Sequence, residues 1–260
     1  MTETRVYPWL SVVTVVMNDL EGFLATKDCL LAQEFKDFEW IIIDSSDTPL
    51  SPDYGDNVKY AWVTPEGIFS AMNKGLELSK ASYIYFLNAG DRIREDAVLQ
   101  KIFDISHSVP ITTAIYGDVC FVDERGFEVV PEPFVFDKER SNLYCKGRFP
   151  PHQGTFTPRE SLNRIRGFDE KLSVAGDYKA FIDLSRKIDY LYAPIEIAIF
   201  QLGGASSKKR RKGIWEFHQA RKAVFRPKGL AYLREYICTM LSYLKFLAFG
   251  LLQVVRKSLN

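Results

Sequence analysis

Two carboxylates stand where the chain leaves apolar segments, at positions where a sheet of this kind could bind a ligand. Asp44 closes the apolar run Glu39–Asp44, and Asp91 ends the turn Asn88–Asp91, just past a second apolar run. Ligands of open α/β sheets bind beyond the carboxyl ends of the strands. The turn offers a carboxylate and an amide on a tight, glycine-containing loop, which suits a hard cation that also touches phosphate oxygens. Such aspartates can equally be turn formers or helix caps, and this alternative stays open.

A layered α/β fold would bring both carboxylates to one edge of a sheet. Short apolar runs predict buried strands at Ser11–Met17, Glu39–Asp44 and Tyr83–Leu87, with a weaker strand at Val58–Val63. Helices are predicted between them at Leu20–Gln33, Ile68–Ser79 and Asp96–Ser106. The first helix has five apolar side chains on roughly one face: Leu20, Phe23, Leu24, Leu30 and Leu31. This alternation predicts an α/β fold with a mainly parallel central sheet flanked by helices.

The second half of the chain predicts a smaller, more loop-rich part of the same body. A hairpin turn joins predicted strands at Ile115–Val122 and Phe127–Val130. A short strand is predicted at Gly154–Thr157, and Asp177–Lys187 reads as a helix with Phe181 and Leu184 inward. Two short strands are predicted around Pro194, within residues 190–200.

The composition hides a division of charge. The 260 residues are 47% hydrophobic and 26% charged, which excludes a wholly disordered chain, a collagen-like repeat and a multi-span membrane protein. The net charge is +1, yet residues 1–204 carry −10 and residues 205–260 carry +11. An acidic body with a basic tail favours an anionic partner. The four cysteines form no C-x-x-C pair and no signal peptide is evident, so we expect free thiols and a cytoplasmic body.

Several short motifs follow one another in a characteristic order between residues 11 and 206. They are Ser11–Asn18, Glu39–Asp44, Gly67–Gly75, Phe86–Asp91, Pro151–Phe156, Gly167–Glu170, Ala175–Tyr178 and Gly203–Ser206. Each is weak alone, but together they resemble the family 2 glycosyltransferases of the GT-A fold. The bacterial polysaccharide branch, of the colanic-acid type, is the most similar.

The resemblance implies a donor side and a metal site. The implied donor or nucleotide contacts are Val16, Asn18, Asp44, Gly67, Asn73 and Asn88. Asp91 is the implied ligand of Mg²⁺ or Mn²⁺. The family's usual Asp-x-Asp is degenerate, because Asn88 and Gly90 stand where carboxylates often stand. Magnesium tolerates a single carboxylate when substrate phosphates supply further ligands. For Asn73, simple solvation on a helix surface is the alternative.

The resemblance also implies the catalytic groups. Asp177 is the expected base, which deprotonates an acceptor hydroxyl so that a single in-line displacement inverts the anomeric centre. The same carboxylate would suit the N-terminus of its helix as a cap, and the two roles can coexist. His152 and Gln153 are expected on the acceptor or diphosphate side, where His152 could contact the diphosphate, ligate the metal or orient the acceptor. A structural role for His152 beside Pro150 and Pro151 is the alternative.

Residues 205–260 form a predicted C-terminal helical extension to a catalytic domain at residues 1–204. It starts with the basic run Lys208–Lys212 and continues into the apolar segment Tyr232–Val255, which contains Lys245. A helix lying on an anionic membrane surface fits this pattern at least as well as a spanning helix. A helical pair packed on the body, or on a second copy in a homo-oligomer, stays open. No motif for reading nucleic acid accompanies the basic run, so nucleic acid is not an expected partner.

These observations lead to one main hypothesis. It is an inverting glycosyltransferase that uses a nucleotide sugar and a saccharide or polyprenyl-linked acceptor in cell-surface polysaccharide biosynthesis. Its expected place is the cytoplasmic face of the bacterial inner membrane, peripheral or monotopic. The alternative is a non-catalytic nucleotide-binding or scaffold protein of the same fold. A nucleotidyltransferase ranks lower, because the first strand is not followed by a glycine-rich phosphate loop.

Overall fold

A computed structural model describes residues 7–50, 55, 57–123, 125–134, 136, 149–202 and 210–258. Side chains of the final range are described from residue 211 to residue 247. Cys145, the segment Gly203–Ser206 and the basic residues Lys208 and Lys209 lie outside the described residues. The same is true of the expected domain boundary at residue 204.

Strands and helices alternate through the first half of the chain. The strands are β1 (Leu10–Val16), β2 (Phe38–Asp44), β3 (Val58–Trp62), β4 (Tyr83–Phe86), β5 (Arg92–Ile93), β6 (Ala114–Val122), β7 (Glu128–Val129), β8 (Thr155–Pro158) and β9 (Tyr190–Gln201). The helices are α1 (Leu20–Leu31), α2 (Ile68–Leu78), α3 (Val98–Ser106), α4 (Arg159–Arg164), α5 (Gly176–Leu184), α6 (Arg210–Phe225) and α7 (Leu230–Ser258). A short 3₁₀ turn, His152–Gly154, precedes β8.

One sheet runs through the described body in the order β3-β2-β1-β4-β8-β6-β9-β5, with β7 paired to β6. The first four strands are parallel, so their carboxyl ends share one edge. Beyond them the sheet is mixed, because β8 is antiparallel to both β4 and β6, whereas β6 and β9 are parallel. The predicted α/β sheet is therefore confirmed, and its four adjacent parallel strands lie in the half that carries Asp44 and Asp91.

The central strands form because they are apolar on both faces. Every residue of β1 is buried, as expected for a parallel strand covered by helices on both sides. Val12 and Val16 pack in the core on the α1 side, whereas Val13 and Val15 pack against α2 and α5. Burying an aliphatic side chain of this size contributes about 1.5–3 kcal/mol, so these strands anchor the body.

The inward face of α1 differs from its predicted apolar face. Phe23, Thr26 and Leu30 are the buried residues of this helix. Leu20, Leu24 and Leu31 are instead exposed. The face that meets the sheet includes Thr26, which donates to the Asp91 carbonyl, and hydrophobic periodicity carries no information about that contact.

The prediction of two strands around Pro194 was wrong. A single strand, β9, runs through this proline and pairs with β6 along its length. The register slips between the pairs Tyr116–Tyr192 and Asp118–Glu196, so that β9 contains extra residues where the proline lies. A bulge of this kind tolerates a proline, which has no N–H to donate to the neighbouring strand.

The C-terminal helices pack on the second half of the body. The ring of Phe217 in α6 lies 4.6 Å, between centroids, from the ring of Tyr178 in α5. Ala220 of α6 is buried in the same cluster. Among the described residues, no helix combines the length and the apolar character needed to cross a membrane.

Close packing between α2 and β1 generates a prediction about stability. A Cβ atom added at Gly75 would lie 2.3 Å from Cγ1 of Val13, so the helix rests directly on the strand. Gly75→Ala is expected to lower the free energy of unfolding by about 1–3 kcal/mol, despite the better helix propensity of alanine. Urea denaturation measures this difference.

The control for this prediction is Glu77→Ala in the exposed part of the same helix. That change is expected to alter the free energy of unfolding by no more than about 0.5 kcal/mol. Equal effects of the two substitutions would contradict the proposed packing constraint.

Candidate active site

The ends of β1 and β2 are tied together where the chain leaves the sheet. The carbonyl oxygen of Val16 accepts a hydrogen bond from the Ser45 N–H at 2.9 Å. The Asn18 N–H donates to Ser46 Oγ at 2.8 Å. The Asn18 side chain donates to Asp47 Oδ2 at 3.1 Å and accepts from the Asp47 N–H at 3.0 Å. Val16 and Asn18 thus lie at the edge predicted for the donor, and their contacts with a donor stay predictions.

Asp44 lies at this edge with its carboxylate fully buried. Its oxygens accept hydrogen bonds from the Ser46 N–H at 2.8 Å, the Leu50 N–H at 2.7 Å and the Tyr60 hydroxyl at 2.8 Å. Burial acts to raise the pKa of Asp44, but the hydrogen bonds outweigh it and the pKa is lowered. In this structure the carboxylate holds the loop after β2, and a nucleotide contact by Asp44 stays a prediction.

Gly67 and Asn73 lie at and within α2. Gly67 immediately precedes the helix with φ of 113°, a conformation that favours glycine. The Asn73 amide donates to the Phe168 carbonyl at 2.9 Å and to Glu170 Oε1 at 2.7 Å, and its oxygen accepts from the Phe168 N–H at 2.8 Å. The structure thus gives Asn73 a role in joining α2 to the loop before α5. Contacts of Gly67 and Asn73 with a donor stay predictions.

Thr26 shapes the turn that carries the predicted metal ligand. Its hydroxyl donates to the Asp91 carbonyl at 2.7 Å and accepts from the Gly90 N–H at 3.1 Å. Gly90 has φ of 90°, which suits glycine. Sequence reasoning missed Thr26. The available signal was a lone polar residue between Phe23 and Leu30 on the buried face of α1.

Asp91 is a buried carboxylate with an unsatisfied oxygen. The residue is 4% exposed, and its Oδ2 has no hydrogen-bond partner among the residues that the structure describes. Burial raises the pKa of Asp91 to about 7, although His152 and hydrogen bonds from the Asn88 backbone and the Gln153 side chain act in the opposite direction. An unpaired buried charge is costly, so a proton or a cation must compensate this group.

His152 connects the turn after β4 with helix α5. Its Nδ1 lies 3.0 Å from Asp177 Oδ2, and its Nε2 lies 3.2 Å from Asn88 Nδ2. With the amide NH₂ group of Asn88 facing Nε2, the neutral tautomer that satisfies both contacts has its proton on Nδ1 and donates it to Asp177. Asp177 Oδ1 accepts from the Tyr178 N–H at 2.7 Å. The side chains of His152 and Asp177 are 11% and 15% exposed, so both border the solvent.

Packing of the 3₁₀ turn fixes the position of this histidine. The Gln153 carbonyl accepts a hydrogen bond from the buried Tyr85 hydroxyl at 2.7 Å. A Cβ atom at Gly154 would lie 2.7 Å from Val119 Cγ2, which shows how closely the turn approaches β6. The turn is therefore held between β4 and β6, and His152 cannot shift without disturbing the sheet.

The structure thus brings five of the predicted site residues into one group: Asn88, Asp91, His152, Gln153 and Asp177. Val16, Asn18 and Asp44 lie at the adjoining strand ends, at the same edge of the sheet. The two groups of residues adjoin each other: a Cβ atom on Gly90, next to Asp91, would lie 3.8 Å from Oδ2 of Asp19, which follows Asn18. Asn73 is instead engaged with the loop before α5.

The donor atoms of this group fit a divalent cation. Asp91 Oδ2 and Asn88 Oδ1 are both buried, and neither has a hydrogen-bond partner among the described residues. Both are hard oxygen atoms of the kind that Mg²⁺ and Mn²⁺ prefer. In the described part of the chain, no three His, Cys, Asp or Glu side chains converge on a metal position. A cation held by Asp91 and Asn88 would therefore take its other ligands from substrate and water.

In comparison with known proteins, the matching family and the similar sequences are all described as glycosyltransferases. The sequence model of the family described as "Glycosyl transferase family 2" matches residues 11–165. An "uncharacterized glycosyltransferase" of Mycobacterium tuberculosis is 28% identical over 179 residues, which cover 65% of this chain and 66% of that protein. A "PGL/p-HBAD biosynthesis glycosyltransferase" of Mycobacterium bovis is 25% identical over 120 residues, 43% of this chain and 47% of that protein. The chain thus spans just under two thirds of the first relative's length.

Solved structures with a similar fold include two proteins in complex with a nucleotide or a nucleotide sugar. Staphylococcus aureus TarS 1–349 in complex with UDP gives a TM-score of 0.62 at 15% identity, over 88% of this chain and 69% of that one. The mannosyltransferase PcManGT from Pyrobaculum calidifontis, in complex with GDP-Man and Mn²⁺, gives a TM-score of 0.61 at 12% identity. The match covers 96% of this chain and 81% of that one. At these identities the likeness shows the fold alone. The fold is GT-A-like, and this prediction is confirmed.

The raised pKa of Asp91 predicts how stability depends on pH. Below the ordinary value of 3.8, the group is protonated in both the folded and the unfolded chain. Between 3.8 and about 7 the unfolded chain releases the proton and the folded chain keeps it, so this group makes the protein less stable as pH rises. Above about 7 the full cost of a buried charge is present.

Asp91→Asn removes this charge at nearly constant shape. In metal-free buffer the variant is expected to gain stability relative to the wild type as pH rises from 4 to 8, by about 2–4 kcal/mol at the upper end. Urea denaturation at several pH values measures the difference. A stability difference that does not change with pH would refute the assignment of the titrating group.

Proposed function

Because the chain belongs to glycosyl transferase family 2, we propose that it moves a sugar from a nucleoside-diphosphate sugar to a hydroxyl of a saccharide acceptor, with inversion at the anomeric carbon. The observation that carries this proposal is the contact of His152 with both Asp177 and Asn88, at 3.0 and 3.2 Å. Through His152, the proposed base Asp177 is connected to the turn that carries the proposed cation ligands, which supports the proposal. These are the two groups that transfer from a diphosphate needs.

In the proposed reaction, Asp177 accepts the proton of the acceptor hydroxyl. The acceptor oxygen bonds to the anomeric carbon while the bond from that carbon to the diphosphate oxygen breaks. The nucleoside diphosphate leaves from the opposite face. Among the described residues, each Asp177 oxygen accepts one hydrogen bond, Oδ2 from His152 and Oδ1 from the Tyr178 N–H. A carboxylate oxygen can accept two, so a lone pair stays available for the acceptor.

His152 and its neighbours hold the base in place. The imidazole donates from Nδ1 to Asp177, which orients the carboxylate. The Gln153 side chain acts to lower the pKa of Asp91 and so favours the charged form of the proposed metal ligand. A base whose position is fixed before the substrate binds lowers the entropic cost of reaching the reactive geometry.

Mg²⁺ or Mn²⁺ is the proposed cofactor, with Asp91 and Asn88 as its protein ligands. When bound, such a cation would neutralise charge on the diphosphate leaving group. The two unpaired oxygens support this assignment. Val16, Asn18, Asp44 and Gly67 are the proposed donor contacts, because they lie at the ends of β1 and β2 or at the start of α2.

The acceptor and the pathway are further parts of the proposal. A saccharide or polyprenyl-linked acceptor in cell-surface polysaccharide biosynthesis fits the resemblance to the colanic-acid-type branch. The relative of M. bovis that is described as a biosynthesis glycosyltransferase supports a biosynthetic role in general terms. The division into a catalytic domain at residues 1–204 and an extension at 205–260 belongs to the same proposal.

The surface of α7 supports a membrane location. Its exposed residues include an apolar row of Leu233, Ile237, Leu241, Leu244 and Leu247, which are 42–59% exposed. Its buried side chains include the polar Glu235 and Thr239. The helix therefore presents its apolar side outward, as an interfacial helix does. With a net charge of +11 over residues 205–260, we propose docking on an anionic membrane at the cytoplasmic face of the bacterial inner membrane.

The reaction is tested with a panel of UDP-glucose, UDP-GlcNAc, GDP-mannose and dTDP-rhamnose, each with and without Mg²⁺ or Mn²⁺. Thermal stabilisation reports binding, and nucleotide release reports transfer. Asp177→Asn is expected to lower kcat by about 10²–10⁴-fold while donor stabilisation is retained. Asp91→Asn is expected to abolish the metal-dependent part of the stabilisation.

Asp183→Asn on the same helix is the matched control, and it should retain wild-type kcat. If Asp177→Asn and Asp91→Asn both retain wild-type transfer, the site assignment is wrong. If no donor stabilises the protein or releases nucleotide, the non-catalytic scaffold becomes the better hypothesis.

Membrane docking is tested by sedimentation with phosphatidylcholine vesicles, with and without phosphatidylglycerol. The double variant Leu233→Glu, Leu241→Glu is expected to weaken binding by more than about tenfold, because two apolar contacts are lost. Binding should also weaken at high salt, since salt screens charge attraction.

The control is Leu24→Glu, Leu31→Glu, which changes two exposed leucines of α1 in the same way. It should bind vesicles like the wild type. Equal binding by the wild type and the α7 variant would exclude this face as the docking surface.

A further inference from the structure

Residues 205–260 contain only two acidic side chains, Glu216 and Glu235. Both are buried, at 4% and 7% exposure, although the surrounding sequence is basic and apolar. Buried carboxylates are rare unless their hydrogen bonds are satisfied. The hydrogen-bond partners of these two carboxylates therefore show which part of the body the C-terminal helices contact.

Glu216 of α6 binds the chain that leads into α5. Its carboxylate accepts hydrogen bonds from three consecutive backbone N–H groups: Ser173 at 3.0 Å, Val174 at 2.7 Å and Ala175 at 3.0 Å. The Ser173 hydroxyl donates to it at 2.9 Å. Burial acts to raise the pKa of Glu216, but these bonds outweigh it and the pKa is lowered. The carboxylate is thus held ionised against the N-terminal end of α5.

The residue at the N-cap position of helix α5 provides no capping side chain. Ala175 precedes the helix and Gly176 begins it, and neither side chain can accept a hydrogen bond. A Cβ atom at Gly176 would lie 2.6 Å from the ring of Phe69, so no larger residue fits there. An acceptor near a helix N-terminus satisfies its unpaired N–H groups and interacts favourably with the helix dipole. Glu216 supplies an acceptor at this end: it binds the N–H group of the N-cap residue Ala175 and those of the two residues before it, from a position 41 residues further along the chain.

A second contact holds the residue that follows Asp177. The Arg221 guanidinium donates to Glu235 Oε1 at 2.6 Å, to Thr239 Oγ1 at 3.1 Å and to the Tyr178 hydroxyl at 3.2 Å. It therefore connects α6, α7 and α5 through one buried group. The C-terminal helices therefore contact the chain before Asp177, at residues 173–175, and the residue after it, Tyr178.

We propose that Glu216 is a positioning residue for Asp177, and that α6 and α7 belong structurally to the candidate active site. Capping by Glu216 fixes the first turn of α5, and this turn sets the direction of the Asp177 carboxylate toward His152. The consequence for catalysis rests on the function proposed above, whereas the consequence for geometry does not. Truncation at residue 204 would then remove a support of the site together with the docking surface.

The geometry is tested without substrate by NMR of the histidine side chains. The chain has three histidines, and His152→Gln assigns the resonance of His152. In the wild type, the Nδ1 proton of His152 should be observable because it is hydrogen-bonded to Asp177. In Glu216→Gln this resonance should disappear through exchange with water, since the carboxylate of Asp177 no longer faces the ring.

Glu39→Gln is the matched control. Glu39 is also buried and accepts bonds from Ser11 Oγ, the Lys80 N–H and Lys59 Nζ, each at 2.6 Å, but it lies at the start of β2, away from the site. The proposal requires this variant to keep the His152 resonance. It is overturned if folded Glu216→Gln keeps the resonance, or if both variants lose it.

Two further measurements complete the test. If Glu216→Gln does not fold, amide exchange in the wild type decides: protection of the amides of residues 173–175 supports the cap, and unprotected exchange overturns it. With UDP-GlcNAc, or whichever donor of the panel the wild type uses, kcat of folded Glu216→Gln should fall about tenfold, with KM changed less than about twofold. An unchanged kcat overturns the positioning role, whereas a wild type inactive with every donor refutes only the proposed function.

Discussion

One imidazole ring joins the two halves of the body. His152 contacts Asn88, which follows strand β4 of the first half, and Asp177, which lies in helix α5 of the second half. The ring can do this only because its 3₁₀ turn is held between β4 and β6 through Gln153 and Gly154. The group proposed to bind a cation and the group proposed to accept a proton therefore share a single support, and neither half contains a complete site.

The sequence predicted those features that depend on neighbouring residues. Apolar runs identified β1, β2 and β4, because a strand covered on both faces must be apolar throughout. Turn chemistry identified the hairpin after β6, in which Asp123 Oδ1 accepts from two backbone N–H groups. The bulge around Pro194 could not be predicted, because it depends on pairing with β6, some 75 residues earlier. The inward face of α1 depends equally on a distant partner, the chain at Asp91.

The sequence predicted which residues to consider for the candidate site, but it did not predict how hydrogen bonds connect them. The family resemblance named Asp91, His152 and Asp177, whose roles stay predictions, yet it could not show that Asn73 binds the loop before α5 across 95 residues. Nor could it show that Glu216 binds the backbone at the N-terminus of α5. The residues around this glutamate form no local pattern that predicts its partner. Hydrogen bonds between distant residues decide such roles. Helix α7 buries polar side chains and exposes apolar ones, whereas a surface helix usually buries its apolar side. Its buried polar side chains are likewise held by hydrogen bonds to distant residues.

The place of β8 in the sheet has a consequence for biosynthesis. This strand of four residues lies between β4 and β6, although it follows both of them in the chain. While the ribosome is still making the residues before Thr155, the facing edges of β4 and β6 have no partner in the final arrangement. Open strand edges can pair with other chains. The nascent protein must therefore pass through a stage that is prone to aggregation, and a chaperone that shields strand edges would act at that stage.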